Sequence, residues 1–290
     1  MSSCVTVIQG QHGWGVTYSS TEICALKGST VNMSCTYTYP SWKYGRYTKV
    51  KEAFWFTKER RYQPVDLRTD SDYQDRVESR CSKKRCTLRI TDLKESDSVE
   101  YKFMFITNQP GGRYTGSPGV TLRIADLQVQ VTTSSHSGSR ELKCHSSCRL
   151  PDRSSYIWYK NGQKIQSQTS STYSVTYDYA DSYSCALKGH ENYGSPPVYA
   201  PKLPSVSVSP SAEIVEGSSV TLTCSSDANP AANYTWYKKN GGPDLQPLSK
   251  EPQLVFSSIQ SSDSGEYYCT AENELGRRTT DYIYINVTCE

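Results

Sequence analysis

No stretch of this 290-residue chain approaches the apolar length that a membrane-spanning helix needs. None of its 11 cysteines forms a C-x-x-C pair, so the usual spacing of a structural zinc site is missing and no metal is expected. Histidine is scarce: His12, His136, His145 and His190 lie in separate segments. There is no nucleophile elbow and no phosphate-cradling glycine loop, so neither an enzyme nor a cofactor is expected. The opening Met1 to Gly10 lacks the charged start and long apolar run of an intact signal peptide, and reads as the tail of one or as an appended segment.

Cysteine and tyrosine, in contrast, are abundant, with 11 and 23 copies. Together with N-x-S/T sequons at Asn32, Asn233 and Asn286, they fit an oxidised, glycosylated extracellular setting. The net charge of +3 hides an asymmetry. Residues 1–124 carry 19 Lys and Arg against 12 Asp and Glu, whereas residues 125–290 carry 13 against 17. An anionic partner would be drawn to the first part, although a solvated basic face explains a charge excess equally well. No nucleic-acid partner is expected.

The C-terminal third is the easiest to read. Cys224, Trp236 and the run Asp263-Ser264-Gly265-Glu266-Tyr267-Tyr268-Cys269 have the Cys–Trp–Cys spacing and tyrosine corner of an immunoglobulin sandwich. Ser219 to Cys224 alternates as a half-buried strand should. The spacing after Trp236 leaves no room for extra strands, so this is a C2- or I-type domain over 203–288. Residues 125–200 repeat the skeleton with Cys144, Trp158, Tyr183 and Cys185, although Tyr179 stands where the corner aspartate belongs. Residues 11–124 are longer, with Trp55 in strand C and about thirty polar residues before Cys86, as in a V-type domain. The expectation is all-β: three tandem immunoglobulin-like sandwiches, one V-type and two C2/I-type. A very short first junction and the proline-rich Pro196 to Pro204 would make them a stiff rod.

In the first domain, Asp97 and Tyr101 mark the E–F corner, but the place of the second core cysteine is held by Phe103, and a cysteine appears upstream at Cys86. The expected bridges within domains are therefore Cys35–Cys86, Cys144–Cys185 and Cys224–Cys269. At least one of the remaining five cysteines must be unpaired within the chain.

This displaced bridge, with Trp14-Gly15-Val16 near the start, resembles the first domain of Siglecs, the sialic-acid-binding immunoglobulin-type lectins, notably the inhibitory B-cell member and its sialoadhesin-like relatives. The resemblance covers about Gln11 to Ala200. It implies a second bridge joining the first two domains, for which Cys24 and Cys148 match, with Cys24–Cys81 as the rival; the pairing of Cys4, Cys81 and Cys289 stays open. It also implies the extracellular part of a type I cell-surface immune receptor, anchored in the membrane in its full-length form. Sialylated glycans or glycoproteins on cell surfaces are the implied partners.

In that family an arginine on strand F holds the sialic acid carboxylate, and a tryptophan near the N-terminus packs on the sugar. Trp14 takes the tryptophan's place, with plugging of the sandwich edge as the plainer role. The arginine's place is Met104. A guanidinium meets a carboxylate with two parallel hydrogen bonds, which a methionine cannot make. Lys102, two residues back, and Arg113 beside Tyr114 on the next strand are the candidate substitutes. The lectin frame has then either been kept with altered chemistry or been turned to a protein ligand in an adhesion or immune receptor. Lys58 to Tyr62 is the implied specificity loop. Lys58, Arg60 and Arg61, with Arg80, Lys83, Lys84 and Arg85, are also compatible with sulfated glycosaminoglycans.

Overall fold

The computed structural model describes residues 13–133, 139–150, 154–176, 178–211, 213–239 and 246–289. Cys4 and the opening segment lie outside them. Regular structure among the described residues is strands joined by short 3-10 turns, so the molecule is all-β. The chain divides into two compact units, residues 1–126 with 146–153, and residues 127–145 with 154–290.

The first unit contains thirteen described strands. They are β1 (Gly15–Tyr18), β2 (Glu22–Leu26), β3 (Val31–Thr38), β4 (Trp42–Lys43), β5 (Arg46–Tyr47), β6 (Val50–Phe56), β7 (Glu59–Arg60), β8 (Gln63–Pro64), β9 (Val77–Ser82), β10 (Arg85–Ile90), β11 (Glu100–Thr107), β12 (Arg113–Thr115) and β13 (Val120–Ala125). One sheet runs β1-β3-β10-β9. The other joins β12, β11, β13 and β2, with β6 on the far side of β11. Alternation along β3 and β10 sends Met33, Leu88 and Ile90 inward to meet Trp55, Tyr101, Phe103 and Phe105 from the facing sheet.

Two buried polar devices lock this sandwich. Asp97 accepts two hydrogen bonds from the Arg76 guanidinium, at 2.8 and 3.0 Å, and its backbone carbonyl accepts the Tyr101 hydroxyl at 3.1 Å. Hydrogen bonding to Asp97 holds the guanidinium above its ordinary pKa against the opposing effect of burial. Tyr18 accepts from the Phe103 amide at 2.8 Å and donates to the Gly116 carbonyl at 3.2 Å. Gly116 must stay small, since a Cβ there would meet the Tyr18 hydroxyl oxygen at 2.5 Å.

The structure corrects the expected Cys35–Cys86 bridge. Cys86 stands opposite Cys35 on one side and opposite Cys81 on the other, and its bond goes to Cys81. β9 and β10 are joined by the two-residue turn Lys83-Lys84, both residues in the left-handed region at φ 46° and 66°. That turn seats Cys81 directly across from Cys86, with Cα atoms 4.1 Å apart. Cys35 remains a thiol, 1% exposed, and burial pushes its pKa far up. Cys24 on β2 is bonded to Cys148, Cα to Cα 5.4 Å.

The second unit holds two sandwiches in sequence. In one, Leu127–Thr133, Ser139–Ser146 and Thr172–Thr176 form a sheet opposite Gln163–Ile165, Tyr156–Lys160, Ser182–Leu187 and Val198–Tyr199, joined by Cys144–Cys185 beside the fully buried Trp158. Its degenerate corner is served by Asp181, which accepts from the Tyr183 hydroxyl and from Asn161 and pairs with Lys160. In the other, Cys224–Cys269 joins the two faces beside the buried Trp236, and the Tyr267 hydroxyl donates to the Asp263 carbonyl. The junction is pinned, since Tyr199 and Asn229 exchange backbone hydrogen bonds and Asn273 donates to the Tyr199 carbonyl. Cys289 is an exposed thiol beside Glu216.

Candidate functional site

The candidate ligand face lies on the outer side of β6, β11 and β12. Side chains alternate across β11, so Phe103 and Phe105 enter the core while Lys102, Met104 and Ile106 take the opposite face. In the ladder Met104 stands opposite Phe54 on β6 and opposite Thr115 on β12. It is 1% exposed and clusters with Phe54, Phe56 and Ile106. A methionine enclosed by two phenylalanines offers no hydrogen-bond donor to a carboxylate.

Both candidate substitute cations are already engaged. The Lys102 ammonium pairs with Glu100 at 3.0 Å. Glu100 also accepts the Gly119 amide at 2.7 Å, and these bonds hold its carboxyl below the ordinary range. The Arg113 guanidinium donates to the Gln63 side chain at 2.8 Å. The proposed specificity loop is the β7–β8 hairpin, turning at Arg61 and Tyr62. Its Lys58 is held by Asp70 and Asp72 at 2.8 and 3.1 Å, and those hydrogen bonds raise its pKa.

Trp14 belongs to a different face. Its ring lies nearly parallel to Phe105, 5.8 Å between centroids, and it packs on the core side of β11 together with Tyr39. Tyr114 also faces Phe105, at 6.0 Å. The structure therefore brings Lys102, Met104 and Arg113 onto one face, and Trp14 with Tyr114 onto the other.

Sequence reading passed over the β4–β5 hairpin. Trp42, Tyr44 and Tyr47 are 54%, 67% and 69% exposed there. Asn108 and Gln109 donate to the Tyr47 and Arg46 carbonyls at 3.0 and 3.2 Å, tying the hairpin to the loop after β11. The signal was the density of aromatic residues from Tyr37 to Tyr47 around Pro40 and Gly45. Asn32, Asn233 and Asn286 are all exposed. Among the described residues, no group of three or more His, Cys, Asp or Glu could hold a metal, and no helix is long and apolar enough to cross a membrane.

A family model described as "Immunoglobulin domain" matches residues 125–197 and 203–287, more than half of the chain. Vascular cell adhesion protein 1 of Canis lupus familiaris is 44% identical over 77 residues, covering 27% of this chain and 10% of that protein. B-cell receptor CD22 of Mus musculus is 29% identical over 159 residues, covering 52% and 18%. Myelin-associated glycoprotein of Homo sapiens is 33% identical over 105 residues, covering 34% and 16%. The chain thus spans less than a fifth of the length of each of these relatives.

Proposed function

The chain belongs to the immunoglobulin-domain family, and from that premise we propose that it is the ligand-binding part of a Siglec-like cell-surface receptor that has given up sialic acid recognition on β11 and binds a protein ligand. In this reading it comprises three modules, 11–124, 125–200 and 203–288. The observation that carries the proposal is the burial of Met104 between Phe54 and Phe56. A carboxylate site needs a forward-facing guanidinium at this position. Such a contact is worth about 1.5–3 kcal/mol, a large share of the roughly 4 kcal/mol that a millimolar lectin site has in total. Lys102 and Arg113 do not replace it, because Glu100 and Gln63 hold them. The named roles of two relatives, an adhesion protein and a B-cell receptor, support a place at the cell surface.

The test is a sialoside array probed with a multivalent fusion of this chain beside its Met104→Arg variant, since avidity makes weak sites visible. The expected result is no binding by the parent and sialidase-sensitive binding by the variant. Sialoside binding by the parent would overturn the proposal and restore the lectin reading, with Lys102 or Arg113 as its cation.

A further inference from the structure

We propose that the first unit carries a second recognition surface, a strip of alternating cations and aromatic rings between the β9–β10 and β4–β5 hairpins, that binds a linear sulfated polysaccharide. The strip begins at the Lys84 ammonium, 4.1 Å from the Tyr39 ring centroid. Tyr39 lies 6.2 Å from Trp14, and the Lys43 ammonium stands 5.8 Å from Trp14 and 5.0 Å from Tyr44. Lys83 shares the first hairpin tip with Lys84.

The strip combines three features, of which the last sets it apart from a solvated basic face. Lys43, Lys83 and Lys84 have no carboxylate partner among the described residues, a property they share with Lys51 and Arg61, whereas Lys58, Arg68, Arg76 and Lys102 are paired. Both hairpin tips place long side chains where glycine or asparagine is normally preferred, with Lys83, Lys84 and Tyr44 at φ 46°, 66° and 51°. Finally, ring faces lie beside the ammonium groups, so a sugar ring can stack on dry surface while its sulfates meet the cations.

The chemistry selects a repeating polyanion over a single terminal acidic sugar. A lone carboxylate is satisfied by one guanidinium in a pocket. Here the cations are separated by two aromatic rings and carried on two hairpins, so one ligand engages them all only if its charges repeat along its length. The proposal is independent of what replaces sialic acid on β11, and the Met104→Arg array leaves it untouched.

The test is surface plasmon resonance of the whole chain with a heparin-derived dodecasaccharide, its desulfated counterpart and sialyllactose, at several salt concentrations. Binding is expected to the sulfated dodecasaccharide alone. The combined Lys43→Gln, Lys83→Gln and Lys84→Gln variant keeps the side-chain stems; it should bind at least tenfold more weakly and lower the log–log salt slope by about two to three, close to one released counterion per cation. Tyr44→Ala, at an exposed tip, should weaken binding severalfold with the slope unchanged. A control that removes Lys51, Arg60 and Arg61 instead should stay within twofold of the parent. No binding, equal binding of the desulfated chain, or equal losses in the lysine variant and the control would each overturn the proposal. If the triple variant melts below the parent, the three single variants carry the same comparison.

Discussion

Replacing Cys81 with serine should stabilise the first unit. Cys86 faces both Cys81 and Cys35 across its two ladders and can bond only one of them. The bridge present has a sequence separation of 5, whereas one from Cys35 to Cys86 would close about fifty residues. On the chain-entropy account, constraining the unfolded chain contributes about 2 kcal/mol for the short loop and about 4 kcal/mol for the long one. Directly opposed residues of an antiparallel pair lie about 4.5–5.5 Å apart, inside the range a disulfide spans. Cys35 is therefore placed to take the partner that Cys81 vacates, and Cys81→Ser should gain about 2 kcal/mol. Position 81 is exposed, so the serine adds little cost of its own. The assay is hydrogen exchange of the β3 and β10 amides in the oxidised whole chain, with alkylation and peptide mapping to assign the bridge. A Cys35–Cys86 peptide and slower exchange are expected. Alkylation of both Cys35 and Cys86, with faster exchange, would refute the reasoning, because the register would then not bring Cys35 within bonding reach.

Four further outcomes follow from single contacts. Met104→Ala should cost about 2–3 kcal/mol by opening a cavity between Phe54 and Phe56, read as a lower thermal midpoint for the first unit. Arg76→Ala should cost about 3–5 kcal/mol, because it leaves the buried Asp97 carboxylate without its partner; an unchanged melt would show the pair to be dispensable. Gly116→Ala should cost about 1–3 kcal/mol by crowding Tyr18 and Val16, and Tyr18→Phe in the same chain should relieve part of that loss. Glu100 is held below its ordinary pKa by the Gly119 amide and Lys102. Its contribution is therefore present above the unfolded carboxylate range and is lost as pH falls through the lowered folded value. The stability difference between the parent and Glu100→Gln should be constant at neutral pH and shrink below about pH 4; a difference that grows with acid would contradict this assignment.

Local spacing made the skeleton legible. The triplets Cys144, Trp158, Cys185 and Cys224, Trp236, Cys269 each put a tryptophan against a bridge between facing sheets, as the folded chain does. Asp97 and Tyr101 announced a tyrosine corner, which the hydroxyl of Tyr101 completes. Arg76 was not legible as the partner of Asp97, because 21 residues separate them and nothing local marks their meeting. Lys83-Lys84 gave no turn signal, lacking the glycine or asparagine that such a turn prefers. Without that turn the place of Cys81 opposite Cys86 could not be read.

The candidate site divides along the same line. Two-residue alternation was enough to place Lys102 and Met104 on one face of β11 and Phe103 and Phe105 on the other. Alternation could not reveal that Phe54 and Phe56 enclose Met104, that Glu100 and Gln63 hold the nearby cations, or that Trp14 joins the Phe105 side. By itself the sequence determined which residues form strands, which cysteines join facing sheets, and that the first unit is basic. The tertiary structure decided which cysteine Cys86 meets, which cations are left unpaired, and which rings stand beside them. Strand identity is a property of neighbouring residues, whereas partner choice depends on register and turn geometry between segments far apart in the chain.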